Sequence, residues 1–162
     1  MIQATALRVE QVPKASRERL LPILDQSFTG LYRFHARSTL RKVRWVQASF
    51  HGDAPVGLVM LSMLRARSGY VYYVAVAPAQ RKAGLGTRLL DSGLQILRGA
   101  GAREVFACAH ADNTPMVRLL ASRGFTMTSF RGLVRMNGLA SAVRLIMRMV
   151  AAPGEKMFLL TL

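Results

Sequence analysis

At 162 residues the chain is long enough for one domain with a sizeable core, and its 51% apolar content excludes a disordered basic tail. Lys and Arg total 23 against 8 Asp and Glu, a formal charge of +15 that draws anions (nucleotide cofactor, nucleic acid or acidic protein) without specifying a fold. A single cysteine, Cys108, excludes an internal disulfide and offers no metal-site spacing, and no apolar run is long enough to span a membrane.

Met1-Ile2-Gln3-Ala4-Thr5 lacks the basic-then-apolar pattern of a secretory leader, so a cytoplasmic location is expected. Residues 4–10 alternate loosely and predict a first strand. Ser16 is a cap for a helix running to about Ser27, with Leu20, Leu21 and Leu24 on one face. Residues 31–41 predict a second helix, where Leu31, Phe34 and Leu40 stand among Arg33, Arg37 and Arg41. Residues 45–50 and 56–64 are strand-like and joined by the turn His51-Gly52-Asp53. Residues 70–76 form a third, nearly continuous apolar and aromatic strand, suited to the buried centre of a sheet.

Leu85, Leu89, Leu90, Leu94 and Leu97 then recur at helical spacing, and Gly99-Ala100-Gly101 stops the helix. Residues 104–109 are the next strand. A strand, a helix and a strand in this order make a βαβ unit, whose two strands run parallel. Asn113 or Thr114 caps a short helix with Pro115 in its first turn and Gly124 at its end, and Phe125 opens another strand. Residues 125–136 suit a long strand, Asn137-Gly138 a hairpin turn, and residues 143–149 a final antiparallel strand. A helix over residues 133–150 is the competing reading, set aside because Asn-Gly is costly inside a helix. Residues 1–152 are thus expected to form the domain. Residues 153–162 are an apolar tail, either an edge strand or the cover of a dimer contact. The basic residues, among them Arg8, Arg17, Arg33, Arg65, Arg103, Arg135 and Arg148, are scattered, as on a solvated basic surface.

The stretch with chemistry in it joins the third strand to the leucine-rich helix: Val74-Ala75-Val76-Ala77-Pro78-Ala79-Gln80-Arg81-Lys82-Ala83-Gly84-Leu85-Gly86-Thr87. A strand–loop–helix joint of this kind aims several backbone N–H groups at one spot, with the positive end of the helix dipole behind them. That is an anion cradle. A Walker loop would need Gly-Lys followed by Ser or Thr, which the chain lacks. A dinucleotide fingerprint would need a small residue where Leu89 stands, and an acid at the end of the next strand. What remains is Arg-x-x-Gly-x-Gly, Arg81 to Gly86, after a Val-x-Pro turn. It resembles the pyrophosphate loop of the GNAT superfamily of N-acetyltransferases. Asn113, Leu119, Gly124 and Phe125 match that family's second block in register and order.

The resemblance implies an α/β domain with a mixed, mostly antiparallel sheet, splayed where two parallel central strands diverge. It implies acetyl-CoA as cofactor, held by Arg81, Lys82, Ala83, Gly84, Leu85, Gly86 and Thr87, with Asn113 near the pantetheine arm. The main chain of the central strand, Val74 and Val76, would face the thioester. The implied reaction is direct acetyl transfer to a primary amine of unidentified acceptor. Two departures bear on catalysis. Leu120 stands where the family often has a proton-donating Tyr, and Tyr72 and Tyr73 stand where many members carry a strand Glu. A tyrosine of ordinary pKa is a poor base at neutral pH. His110, Tyr72 and Tyr73 are therefore the candidates for proton work, His110 first because imidazole titrates in the working range. No metal is implied. The alternatives are a coenzyme-A-binding module without catalysis and a nucleic-acid-directed protein, the latter resting on charge alone.

Overall fold

The apolar runs and their Gly and Pro punctuation build the strands β1 (Val9–Gln11), β2 (Trp45–His51), β3 (Ala54–Arg65), β4 (Ser68–Val76), β5 (Glu104–His110), β6 (Thr126–Thr128) and β7 (Glu155–Thr161). The computed structural model describes residues 7–149 and 151–162. The strands form one sheet in the order β1-β2-β3-β4-β5-β7-β6. β4 and β5 pair in parallel, whereas β1–β2, β2–β3, β5–β7 and β6–β7 are antiparallel. The sheet is therefore mixed and mostly antiparallel, as expected. The parallel ladder covers Ser68 to Val71 against Glu104 to Ala107 and stops there, although β4 continues to Val76 and β5 to His110.

The helices are α1 (Leu21–Ser27), α2 (Gly30–Lys42), α3 (Leu85–Gly99), α4 (Thr114–Ser122), α5 (Phe130–Asn137) and α6 (Leu139–Arg148), with a 3-10 helix at Lys14–Leu20 leading into α1. Among the described residues, no helix is long and apolar enough to cross a membrane. The strand expected over residues 4–10 is present as Val9–Gln11, and residues 4–6 of that expectation lie outside the described residues.

The chain divides into two compact units. The first comprises the residues up to Leu61 together with Tyr73–Ile96. Its core includes Leu20, Ile23, Leu24, Leu40, Leu58 and Leu89, all buried. One basic residue departs from the expected solvated surface. Arg17 is only 4% exposed, and its guanidinium donates to the carbonyls of Leu40 (2.9 Å), Val43 (2.8 Å) and Arg44 (3.2 Å). Burial lowers its pKa, because a charge is disfavoured away from water. The carbonyls at the end of α2 are those a helix leaves without internal partners, and Arg17 supplies the donors.

The second unit comprises Ser62–Tyr72 and Leu97–Leu162. Its apolar cluster joins Leu64, Tyr70, Phe106, Leu133, Ala142, Leu145, Met149 and Leu159. Four expectations are corrected here. The long strand over residues 125–136 is a three-residue strand, Thr126–Thr128, followed by a helix, Phe130–Asn137. Ser129 caps that helix by accepting the Gly132 N–H at 3.2 Å. The expected final strand at 143–149 falls largely in α6, whose positions Ala142 and Leu145, with Met149 just beyond its end, are buried at helical spacing. Asn137-Gly138 is a joint between helices rather than a hairpin turn. Gly138 takes φ 77° and its N–H returns to the Val134 carbonyl at 2.8 Å. The apolar tail is not at an edge. β7 lies between β5 and β6 and pairs with both, which is why Phe158 and Leu159 are buried.

Candidate functional site

In the first unit, β4 delivers the chain into the anion cradle. Ala77 donates its N–H to Val56 at 2.9 Å, and a 3-10 turn at Pro78–Gln80 reverses direction. Arg81 Nε bonds back to the Val76 carbonyl at 3.1 Å, which pins the start of the loop to the strand end. Lys82 and Gly84 then take φ 63° and 76°. Lys82 is the one non-glycine residue with positive φ among the described residues, a conformation costing about 1–2 kcal/mol in an L-residue. Left-handed residues in a turn are the backbone pattern in which successive N–H groups can face one side and accept an anion.

α3 begins directly afterwards at Leu85, and Arg88 makes an early helical bond to Gly84 at 3.1 Å. The N–H groups of the first turn have no partner within the helix. No acidic residue stands in that turn to neutralise the dipole. A Cβ placed on Gly84 would meet nothing within 4 Å, so the space over the loop is open. Leu85 and Leu89 are buried beneath, and residues 81–84 are exposed. The loop thus stands exposed next to a buried, leucine-lined start of α3. A diphosphate suits this donor set, with Arg81 and Lys82 adding positive charge.

Tyr73 belongs to the same unit, three residues before Val76 on β4. Its hydroxyl lies 3.3 Å from Nδ1 of His35 on α2, and its ring meets Phe28 edge-on at 5.2 Å between centroids. Nδ1 of His35 is also 3.5 Å from Thr39 Oγ1. His35 was not among the sequence candidates. An isolated histidine on a helix has no spacing that marks it, and the contact spans 38 positions of sequence.

In the second unit, Tyr72 meets Tyr70 edge-on at 4.5 Å and packs, half-buried, against the apolar cluster together with Cys108. Burial raises the Tyr72 pKa, so its phenol stays protonated at any working pH. Tyr70 is raised too, by burial first and then by its neighbour Cys108, with which it shares a hydrogen bond. Cys108 is likewise raised, chiefly by burial. A raised thiol is neutral and sluggish toward electrophiles. Cys108→Ser should therefore leave acetyl-CoA affinity unchanged, and the native thiol should react with a disulfide reagent at pH 8 more slowly than free cysteine; fast labelling would contradict this assignment.

His110 ends β5 opposite Glu155 of β7, and its carbonyl accepts the Asn113 N–H at 3.0 Å. Asn113 is the cap of α4, its Oδ1 receiving the Met116 N–H at 3.3 Å. Leu120, in the last turn of α4, is fully buried. The structure therefore joins His110 to Asn113 through the main chain, sets Tyr72 and Cys108 against one apolar cluster, and joins Tyr73 to His35. Among the described residues, no group of three or more His, Cys, Asp or Glu is placed to hold a metal ion.

A strand, an exposed loop with two left-handed residues and an amphipathic helix stand at the end of β4, in a mixed α/β domain. Residues 12–125 match the acetyltransferase (GNAT) family, and the chain belongs to it. Among curated proteins it is similar to a mycothiol acetyltransferase of Catenulispora acidiphila, 38% identical over 81 residues, covering 50% of this chain and 22% of that protein. It is also similar to a mycothiol acetyltransferase of Corynebacterium glutamicum, 31% identical over 103 residues, covering 60% of this chain and 35% of that protein. The matches thus span about a fifth to a third of those relatives' lengths. Among solved structures, the Bacillus subtilis acetyltransferase in complex with CoA shares the fold at TM-score 0.69 and 17% identity, over 96% of this chain and 99% of that one.

Proposed function

We propose that the chain is an acetyl-CoA-dependent N-acetyltransferase that moves the acetyl group directly to a primary amine. The observation that carries this reading is the cradle over residues 81–87, with left-handed Lys82 and Gly84, the donor-bearing start of α3 and open space above. Bound there, acetyl-CoA supplies an activated acetyl thioester. The N–H groups of the loop and of the start of α3 would hold the diphosphate, Arg81 and Lys82 would hold its charge, and the main chain at Val74 and Val76 would face the acyl end. The protein must also take a proton from the amine, since only the neutral amine attacks.

Calorimetric titration of nucleic-acid-free protein with acetyl-CoA, at two salt concentrations and with ATP as an anion control, tests the cofactor. Saturable one-to-one binding that ATP does not reproduce is expected. Binding equal to ATP and lost with salt would reduce the cradle to a basic loop and favour the nucleic-acid reading. Turnover against a panel of primary amines then tests the reaction. A mycothiol-related amine belongs in that panel, because of the name the relatives carry. Buried Leu120 favours one second reading, a coenzyme-A-binding module without catalysis. Binding with no turnover across the panel would support it. His110→Ala in the same assay measures whether β5 contributes to proton transfer.

A further inference from the structure

We infer that His35 and Tyr73 form a proton relay that replaces the missing carboxylate base of the acetyl transfer. The inference rests on the amine acetylation proposed above. β4 offers tyrosines where a carboxylate would ordinarily sit, and a phenol alone is too weak a base to deprotonate an ammonium at neutral pH. Tyr73 differs from Tyr72 in its partner. Tyr72 packs against an apolar cluster, whereas the Tyr73 hydroxyl lies 3.3 Å from an imidazole nitrogen. Imidazole is the side chain whose ordinary charge change falls near neutral pH.

The geometry allows the transfer with no atom out of balance. With the ring proton on Nε2, Nδ1 of His35 receives the Tyr73 O–H. As the acceptor's ammonium passes a proton to the phenol oxygen, the phenol's own proton passes to Nδ1. The products are a neutral amine, an unchanged tyrosine and an imidazolium, which returns its proton to water before the next turnover. His35 therefore acts through Tyr73 and never needs to touch the acceptor. Thr39 Oγ1, at 3.5 Å from the same nitrogen, is the more distant of the two hydroxyls and sits one helical turn further along α2. Phe28, edge-on to the Tyr73 ring at 5.2 Å between centroids, packs against the phenol. Tyr73, His35 and the cradle all belong to one compact unit, and Tyr73 is on the strand that leads into the cradle.

The test separates proton removal from structure by changing the acceptor. The two acceptors are the panel amine that turns over fastest and its alkoxyamine isostere, in which oxygen replaces the CH2 beside nitrogen; 2-phenylethylamine and O-benzylhydroxylamine are such a pair. The amine is an ammonium at pH 7 and needs a base. The alkoxyamine is already neutral and does not. His35→Gln, which keeps a hydrogen-bonding side chain but cannot titrate, and Tyr73→Phe should each lower kcat/KM for the amine about 100-fold. The same variants should change the alkoxyamine rate by no more than a few-fold, and acetyl-CoA affinity by calorimetry should be unchanged. Equal losses on both acceptors would show a structural role and overturn the relay, as would wild-type rates on both. Wild-type protein that fails to bind acetyl-CoA would instead overturn the functional reading.

Discussion

Gly84→Asp should weaken acetyl-CoA binding about 1000-fold while leaving the far-UV CD spectrum nearly unchanged. Gly84 sits at φ 76°, exposed, with open space over its α-carbon. An aspartate fits there without collision. Its backbone cost is about 1–2 kcal/mol, confined to an exposed loop. The larger effect is electrostatic. A carboxylate about 4 Å from one charge of the diphosphate is opposed by about 4 kcal/mol at a surface-like dielectric, which corresponds to roughly three decades of affinity. Gly84→Asn separates the two causes, since it carries the same strain without the charge. The asparagine variant should lose about tenfold or less, and calorimetric titration of both reads the difference. Tight binding by the aspartate variant would mean that the diphosphate does not lie over this loop.

The strand–loop–helix joint was legible because its signals are local. Val76, Pro78, Gly84 and the leucines of α3 each fix their own neighbourhood, and together they specify strand, turn, loop and helix without any distant partner. Asn113 was legible for the same reason, as a cap that bonds three residues ahead. Residues 125–149 were not. Their apolar positions satisfy both a twofold and a 3.6-fold period, so the choice fell to Asn137-Gly138. Yet a positive φ serves a helix end as well as a hairpin turn, and here Asn137 Oδ1 is held at 2.6 Å by Arg65, 72 positions earlier. That distant contact favours the helical joint and leaves no mark in the local pattern. The tail posed the same problem: nothing within residues 155–161 says that strands stand on both sides. His35 and Arg17 were missed as ordinary polar residues on amphipathic segments. Their partners, at separations of 38 and 23 to 27 positions, are what give them roles.

Arg17 also carries the largest expected loss of stability, because its removal takes the donor from several buried carbonyls at once. Its guanidinium reaches the carbonyls of Leu40, Val43 and Arg44, and Nε reaches Val12 at 3.5 Å. Leu40 lies in the last turn of α2, and Val43 caps it. Leaving a buried carbonyl without a donor costs about 1–3 kcal/mol, and water entering the vacated space recovers part of that. Arg17→Ala should therefore lower the unfolding free energy by about 4 kcal/mol, a large share of the roughly 5–15 kcal/mol that holds a domain of this size together. Arg17→Lys should recover less than half of the loss, since an ammonium is a point donor and cannot span carbonyls that a planar fork reaches together. Arg33→Ala, an exposed arginine on the same helix, serves as the control and should shift the urea midpoint little. Urea denaturation of the three variants reads these effects directly. If Arg17→Ala costs less than about 1 kcal/mol, the carbonyls are rehydrated and the guanidinium is not what holds α2. If it costs the full amount, then His35, one turn before Thr39 on that helix, owes its place beside Tyr73 to an arginine eighteen residues upstream.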